Sequence, residues 1–159
     1  MARLDRLIQE YVHDPYFVRE RYLDPSVCGS CGVLFRGGIF EWPDKKKVEN
    51  AAKITCPACR RIKDNYEGGR VLFEGSFILE HKDEILNILR NTEEIEKKHR
   101  PLERIISILE EQGRINVATT YEHIARRIGE AVHKAYKGEL KIHYPEGQKY
   151  VRILWRRGD

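Results

Sequence analysis

The chain has 159 residues, 41% hydrophobic and 34% charged, with 29 Lys and Arg against 25 Asp and Glu and a formal net charge of +4. That size admits one ordinary domain or two small ones and excludes a large multidomain enzyme, while the hydrophobic share excludes disorder throughout. No apolar run reaches the ~18 residues of a membrane span, and residues 1–6 lack the apolar region of a secretory signal, so a cytoplasmic protein without a membrane partner is expected.

Leu4, Leu7, Ile8, Tyr11 and Val12 recur at helical spacing and predict a short amphipathic helix over 3–12, ended before Pro15. An aromatic and basic arm follows, with Tyr16, Phe17, Arg19, Arg21 and Tyr22, suited either to contact RNA or to pack on what comes next. Four cysteines then fall into two C-x-x-C pairs, Cys28 with Cys31 and Cys56 with Cys59. Between the pairs, residues 33–36 and 39–42 flank Gly37 and Gly38, a two-residue hairpin signal. Residues 57–66 suit a short helix.

Beyond the second pair the periodicity predicts a strand over 70–79, a helix over 82–98, strands over 102–109 and 114–119, a helix over 121–136, and strands over 140–144 and 150–156. The first helix is expected to bury Ile85, Ile88, Leu89 and Ile95, the second Tyr121, Ile124, Ala125, Ile128, Val132 and Ala135. Thr120 is a candidate cap for the second. The expected fold class is α+β. It comprises an N-terminal helix and arm (1–27), a treble-clef or zinc-ribbon module (28–69) and a ferredoxin-like β-α-β-β-α-β sandwich with an extra C-terminal strand (70–159). Two helices would cover one face of an antiparallel sheet.

Paired cysteines in a chain without a secretory signal read as a metal site before they read as disulfides, because two residues between thiolates let one turn present both sulfurs to one ion. Cys28, Cys31, Cys56 and Cys59 are therefore the expected ligands of one structural Zn²⁺, and four thiolates leave no position for a reactive water. The same set suits a mononuclear iron, which spacing alone does not distinguish. A thioredoxin-like redox pair fits less well, since the β-α-β context of that motif is missing.

The charge divides as +3 over residues 1–70, −3 over 71–118 and +4 over 119–159, so the basic character lies at the two ends of the chain. Arg36, Arg60, Arg61, Lys63, Tyr66 and Arg70 cluster about the cysteines, and Lys45, Lys46 and Lys47 follow the hairpin. Arg152 and Arg156 alternate with Val151, Ile153 and Trp155 on the last strand. These eight, Arg36, Arg60, Arg61, Lys63, Tyr66, Arg70, Arg152 and Arg156, are the candidate RNA contacts, with guanidinium groups on phosphates and the ring stacked on a base. Alternatively, Arg60 and Arg61 neutralise the dianionic metal centre. The six His form no second metal site, no catalytic motif is present, and no small-molecule substrate is indicated.

The run Cys28-Gly-Ser-Cys31-Gly32 with Cys56-Pro-Ala-Cys59-Arg-Arg-Ile-Lys-Asp-Asn-Tyr66-Glu-Gly68 resembles the zinc-binding region of the nonsense-mediated-decay-type adaptor family, whose members act in large ribosomal subunit export and quality control. The chain is similar over nearly its whole length to short prokaryotic relatives of that adaptor, mostly uncharacterised. His81-Lys-Asp-Glu-Ile-Leu-Asn-Ile-Leu-Arg-Asn-Thr-Glu93 and Arg126-Arg-Ile-Gly-Glu-Ala-Val-His133 belong to that likeness. The resemblance implies association with RNA or the ribosome, the four cysteines as metal ligands, and no catalytic residue. It departs from the large adaptor, which carries more metal-binding cysteines and further domains. A non-catalytic, RNA-associated zinc protein is the leading expectation. A protein-interaction adaptor that recognises a polypeptide through its sheet face or acidic middle is the second.

Overall fold

The computed structural model describes residues 15, 16, 22–44 and 50–158. The helix expected over 3–12, the arm residues Phe17, Arg19 and Arg21, and Lys45, Lys46 and Lys47 lie outside the described residues. What is described is an α+β protein with three helices and two mixed sheets.

The cysteine-bearing part is built on β1 (Ser26–Cys28), β2 (Leu34–Arg36), β3 (Ile39–Glu41) and β4 (Ala52–Ile54), in the order β3-β2-β1-β4. Gly37 and Gly38 both take positive φ, 66° and 83°, which closes the expected hairpin with Arg36 opposite Ile39. Helix α1 (Pro57–Asp64) follows β4. A small core forms from Tyr22, Val33, Phe35, Phe40 and Ala58 around Cys28 and Cys56. Tyr22 thus settles the role of its part of the arm, with its ring 5.4 Å from Phe35 and 5.5 Å from Phe40.

The larger part runs β5 (Gly69–Glu74), α2 (Ser76–His99), β6 (Ile105–Glu111), β7 (Arg114–Thr119), α3 (Glu122–Tyr136), β8 (Glu139–His143) and β9 (Val151–Arg156), with sheet order β6-β7-β5-β9-β8. β5 and β6 are each antiparallel to β7, which lies between them, so the first split β-α-β unit is present. The second half departs from an antiparallel ferredoxin-like sheet. β9 is inserted between β5 and β8 and runs parallel to β5. Burial explains the order: Val151, Ile153 and Trp155 on β9 are buried, whereas β8 is mostly exposed and offers Leu140 to the core, so the more apolar strand takes the inner position.

One face of this sheet supplies Val71, Phe73, Ile115, Val117, Ile153 and Trp155 to a core completed by Ile85 and Leu89 of α2 and Ile124, Ile128 and Val132 of α3. Strand alternation sends Arg70, Leu72, Arg152, Leu154 and Arg156 to the opposite face.

The strand expected to reach residue 79 ends at Glu74, and α2 begins at Ser76, with a break at His81 (φ −121°, ψ 21°) where the helix was expected to start. Gly75 causes the difference. It sits at φ 118°, and a Cβ there would overlap the Arg157 carbonyl oxygen, so the chain turns and Phe77 and Ile78 approach the core from a helical turn. Ala135, expected inside, lies exposed in the last turn of α3, and Tyr121 is only half-buried. Ile95, also expected inside, is 59% exposed. The inner face of that end of α2 is polar instead. Glu93 accepts a bond from the Ile105 N–H, Glu96 pairs with His123, and the Lys97 carbonyl accepts from Trp42 Nε1 at 2.7 Å.

Candidate metal centre

The two cysteine pairs meet because β1 and β4 pair in parallel, with Cys28 opposite Ile54 and Cys56 two residues further on. The first pair sits in a loop closed by bonds from Gly32 N to Cys28 O and from Cys28 N to Val33 O, each 2.9 Å. Gly32 takes φ 82° to make that turn. In the second pair Cys56 is the N-cap of α1, with Pro57 beginning the helix. Cys56 Sγ accepts from the Cys59 N–H at 3.4 Å, and Cys28 Sγ accepts from the Cys56 N–H, also at 3.4 Å. The first turn of α1 thus aims a backbone N–H at the Cys56 sulfur and holds it in place.

All four sulfurs lie within 4.8 Å of one another, with Cys28 to Cys59 at 3.7 Å and Cys31 to Cys56 at 3.8 Å. A tetrahedron with Zn–S bonds of about 2.3 Å has sulfur–sulfur edges of about 3.8 Å. The residues therefore fit a single tetrathiolate metal ion. Iron in the same ligand set has similar geometric demands, so the fit concerns the site rather than the element.

Cys28 and Cys56 are buried, and Cys31 and Cys59 are partly accessible. Over the accessible pair lies Arg104, from the segment entering β6: Nη2 is 3.1 Å from Cys31 Sγ and Nη1 is 3.6 Å from Cys59 Sγ. The hydrogen bond from Cys56, and then the Arg104 guanidinium, hold the Cys31 sulfur down to about 4. The same Cys56 bond, with burial, pushes Cys56 up, and burial also raises Cys59.

Arg104 is itself only 7% exposed. Its Nε donates to Pro101 O at 2.9 Å, and its Cζ lies 5.4 Å from the Trp42 ring centre. Thr120 holds the segment from behind: Arg104 N donates to Thr120 Oγ1, and Thr120 N donates to Arg104 O, each at 2.9 Å. This replaces the capping role expected for Thr120. Tyr121 is the N-cap of α3 and makes no side-chain cap, and the carboxylate of Glu103 accepts the Ile124 N–H at 3.1 Å instead. Glu103, Arg104 and Thr120 carry no motif, and one sequence gives no sign that a strand-forming stretch would meet the cysteines.

The candidate RNA contacts separate into three kinds. Arg61 is 5% exposed, donates to Thr120 O at 3.0 Å and lies between the rings of Tyr66 and Tyr121, at 4.9 and 4.3 Å. It ties α1 to the segment between β7 and α3 and leaves little surface to offer, and the guanidinium that meets the cysteine sulfurs is that of Arg104. Arg36, Arg70 and Arg156 are exposed but paired with Glu41, Glu67 and Glu74. Arg60, Lys63 and Arg152 are exposed, and none makes an ion pair among the described residues; Arg152 lies 6.0 Å from the Tyr150 ring centre. Tyr66 is 47% exposed and lies 5.2 Å from Tyr16.

Among the described residues no second group of His, Cys, Asp or Glu is arranged to hold a metal, and no helix is long and apolar enough to cross a membrane. Comparison with protein-family models, curated proteins and solved structures returned no match.

Proposed function

We propose that this chain is a non-catalytic zinc protein that associates with structured RNA, most plausibly on the ribosome, and that its metal centre is structural. The observation that carries the reading is the position of Arg104. It meets the thiolates, so Arg60 is not spent on neutralising the metal and is left, with Lys63 one turn further along α1, facing solvent without an acidic partner among the described residues. Two cations at i,i+3 on one short helix, fixed by a cysteine ligand at its N-cap, form a rigid pair suited to phosphates. The partly exposed ring of Tyr66 and the cation of Arg152 extend the same chemistry.

The order knuckle, hairpin, then a helix whose first turn bears the second pair supports reading the metal module as a treble clef, and the split β-α-β unit supports a ferredoxin-related sheet modified by inserted β9. Relationship to the short prokaryotic relatives of the ribosome-associated adaptor belongs to the same proposal. Absence of catalysis rests on four thiolates filling a tetrahedron.

Binding to a structured RNA hairpin, followed by anisotropy as salt rises from about 50 to about 200 mM, tests the reading, since phosphate contacts make affinity fall steeply with salt. Arg60→Ala with Lys63→Ala should weaken binding and flatten that slope. Wild-type binding by the double variant, or a flat slope in the native protein, removes the RNA reading. Leu72 and Leu154, paired on the helix-free sheet face near exposed Leu109, favour the alternative of a polypeptide partner.

A further inference from the structure

Arg104 is a buried guanidinium whose side-chain hydrogen bonds, among the described residues, go to Pro101 O and to two cysteine sulfurs. Among the described residues no carboxylate pairs with it. A buried cation is tolerated when an opposite charge meets it, and removing that charge strands it. Four thiolates around a divalent ion carry a net double negative charge, so the same argument applies from the metal's side. Cys31 and Cys59, whose sulfurs Arg104 meets, are also the two cysteines that are only partly buried.

The neighbours of Arg104 in the chain are tied elsewhere. Glu103 holds the N-terminal turn of α3 through Ile124 N, and Ile105 N donates to Glu93 of α2 at 2.6 Å. Three consecutive residues therefore reach α3, the metal centre and α2. Pro101 O and Thr120 fix the approach of the middle one.

We infer that Arg104 is the outer-sphere partner of the metal, balancing the tetrathiolate charge and transmitting metal occupancy to the start of α3 and the inner face of α2. It acts through the ligands and is a positioning residue. The inference rests on the four cysteines holding a metal, and the tests keep the two apart.

Zinc content and chelator competition on the native chain come first; if it takes up no metal, the metal reading fails and this inference with it. Arg104→Gln keeps hydrogen-bond donors but removes the charge, and should weaken zinc about 10- to 100-fold, the range typical of lost outer-sphere partners. Arg104→Lys restores the charge without the fork and should fall between. In the cobalt-substituted protein, Arg104→Gln should move the sulfur-to-metal charge-transfer band to lower energy, a change that loss of packing alone does not produce. Hydrogen exchange gives a readout that needs no variant: the amides of Ile105 and Ile124 should lose protection when zinc is withdrawn from the native chain. Zinc affinity of Arg104→Gln within twofold of native with an unmoved cobalt band overturns the inference. So does unchanged protection of both amides on zinc removal, which decides the matter even where Arg104→Gln fails to fold.

Discussion

Glu103 is 7% exposed, and its carboxylate accepts the Ile124 N–H at the start of α3. Burial lifts its pKa from the ordinary 4.5 to about 7, against the opposing pull of that N–H and of Arg100, with Glu122 and Glu96 adding to the rise. The sign follows from proton linkage. Between the two values the folded chain keeps a proton that the unfolded chain gives up, so stability is greatest below the ordinary pKa and is lost as pH rises to about 7. At about 1.4 kcal/mol per pH unit, the full loss above that point is about 3 kcal/mol. Glu103→Gln keeps an oxygen to accept the Ile124 N–H and cannot ionise. Its advantage over the native protein should therefore grow from about 1 kcal/mol near pH 5.5 to about 3 kcal/mol near pH 8.5. Urea unfolding of both zinc-loaded proteins across that range measures it, and titrations common to the two cancel in the difference. An advantage that does not change with pH, or a variant less stable at alkaline pH, refutes the assignment of a buried, strained carboxylate.

The chain should bind one zinc, and Cys56→Ser should abolish tight binding and loosen the module around Tyr22, Phe35 and Phe40, seen as lost metal by elemental analysis and lost protection in hydrogen exchange. Arg61→Ala should cost about 2 to 3 kcal/mol in chemical unfolding, from the lost bond to the Thr120 carbonyl and the lost ring contacts, whereas Arg60→Ala should stay within about 0.5 kcal/mol. Trp155→Ala should lose about 3 to 5 kcal/mol, since the ring is fully buried against Phe73 and its Nε1 donates to the Lys137 carbonyl at 2.6 Å.

The cysteine cluster was legible because its chemistry is local. Two residues between cysteines already dictate a turn with both sulfurs on one side, and Gly37 with Gly38 dictates the hairpin between the pairs. Alternation likewise placed Val151, Ile153 and Trp155 inward and Arg152 and Arg156 outward. The apolar run through Phe77 and Ile78 misled because the same residues suit a buried strand or a helical turn; what decides is a clash at Gly75 with Arg157, a residue more than eighty positions away. Arg60 and Arg61 were alike in sequence, yet one faces solvent and the other is enclosed by rings from Tyr66 and Tyr121.

Spacing within one element thus sufficed for the two cysteine turns, the hairpin, the α+β character and the inward stripes of the last strand and of most of the two long helices. Only the tertiary structure decided that β9 would enter the sheet beside β5, that Glu103 would cap α3, and that Arg104 would meet Cys31 and Cys59. Those outcomes depend on which elements compete for the same buried space and charge, and that competition acts between segments far apart in the chain.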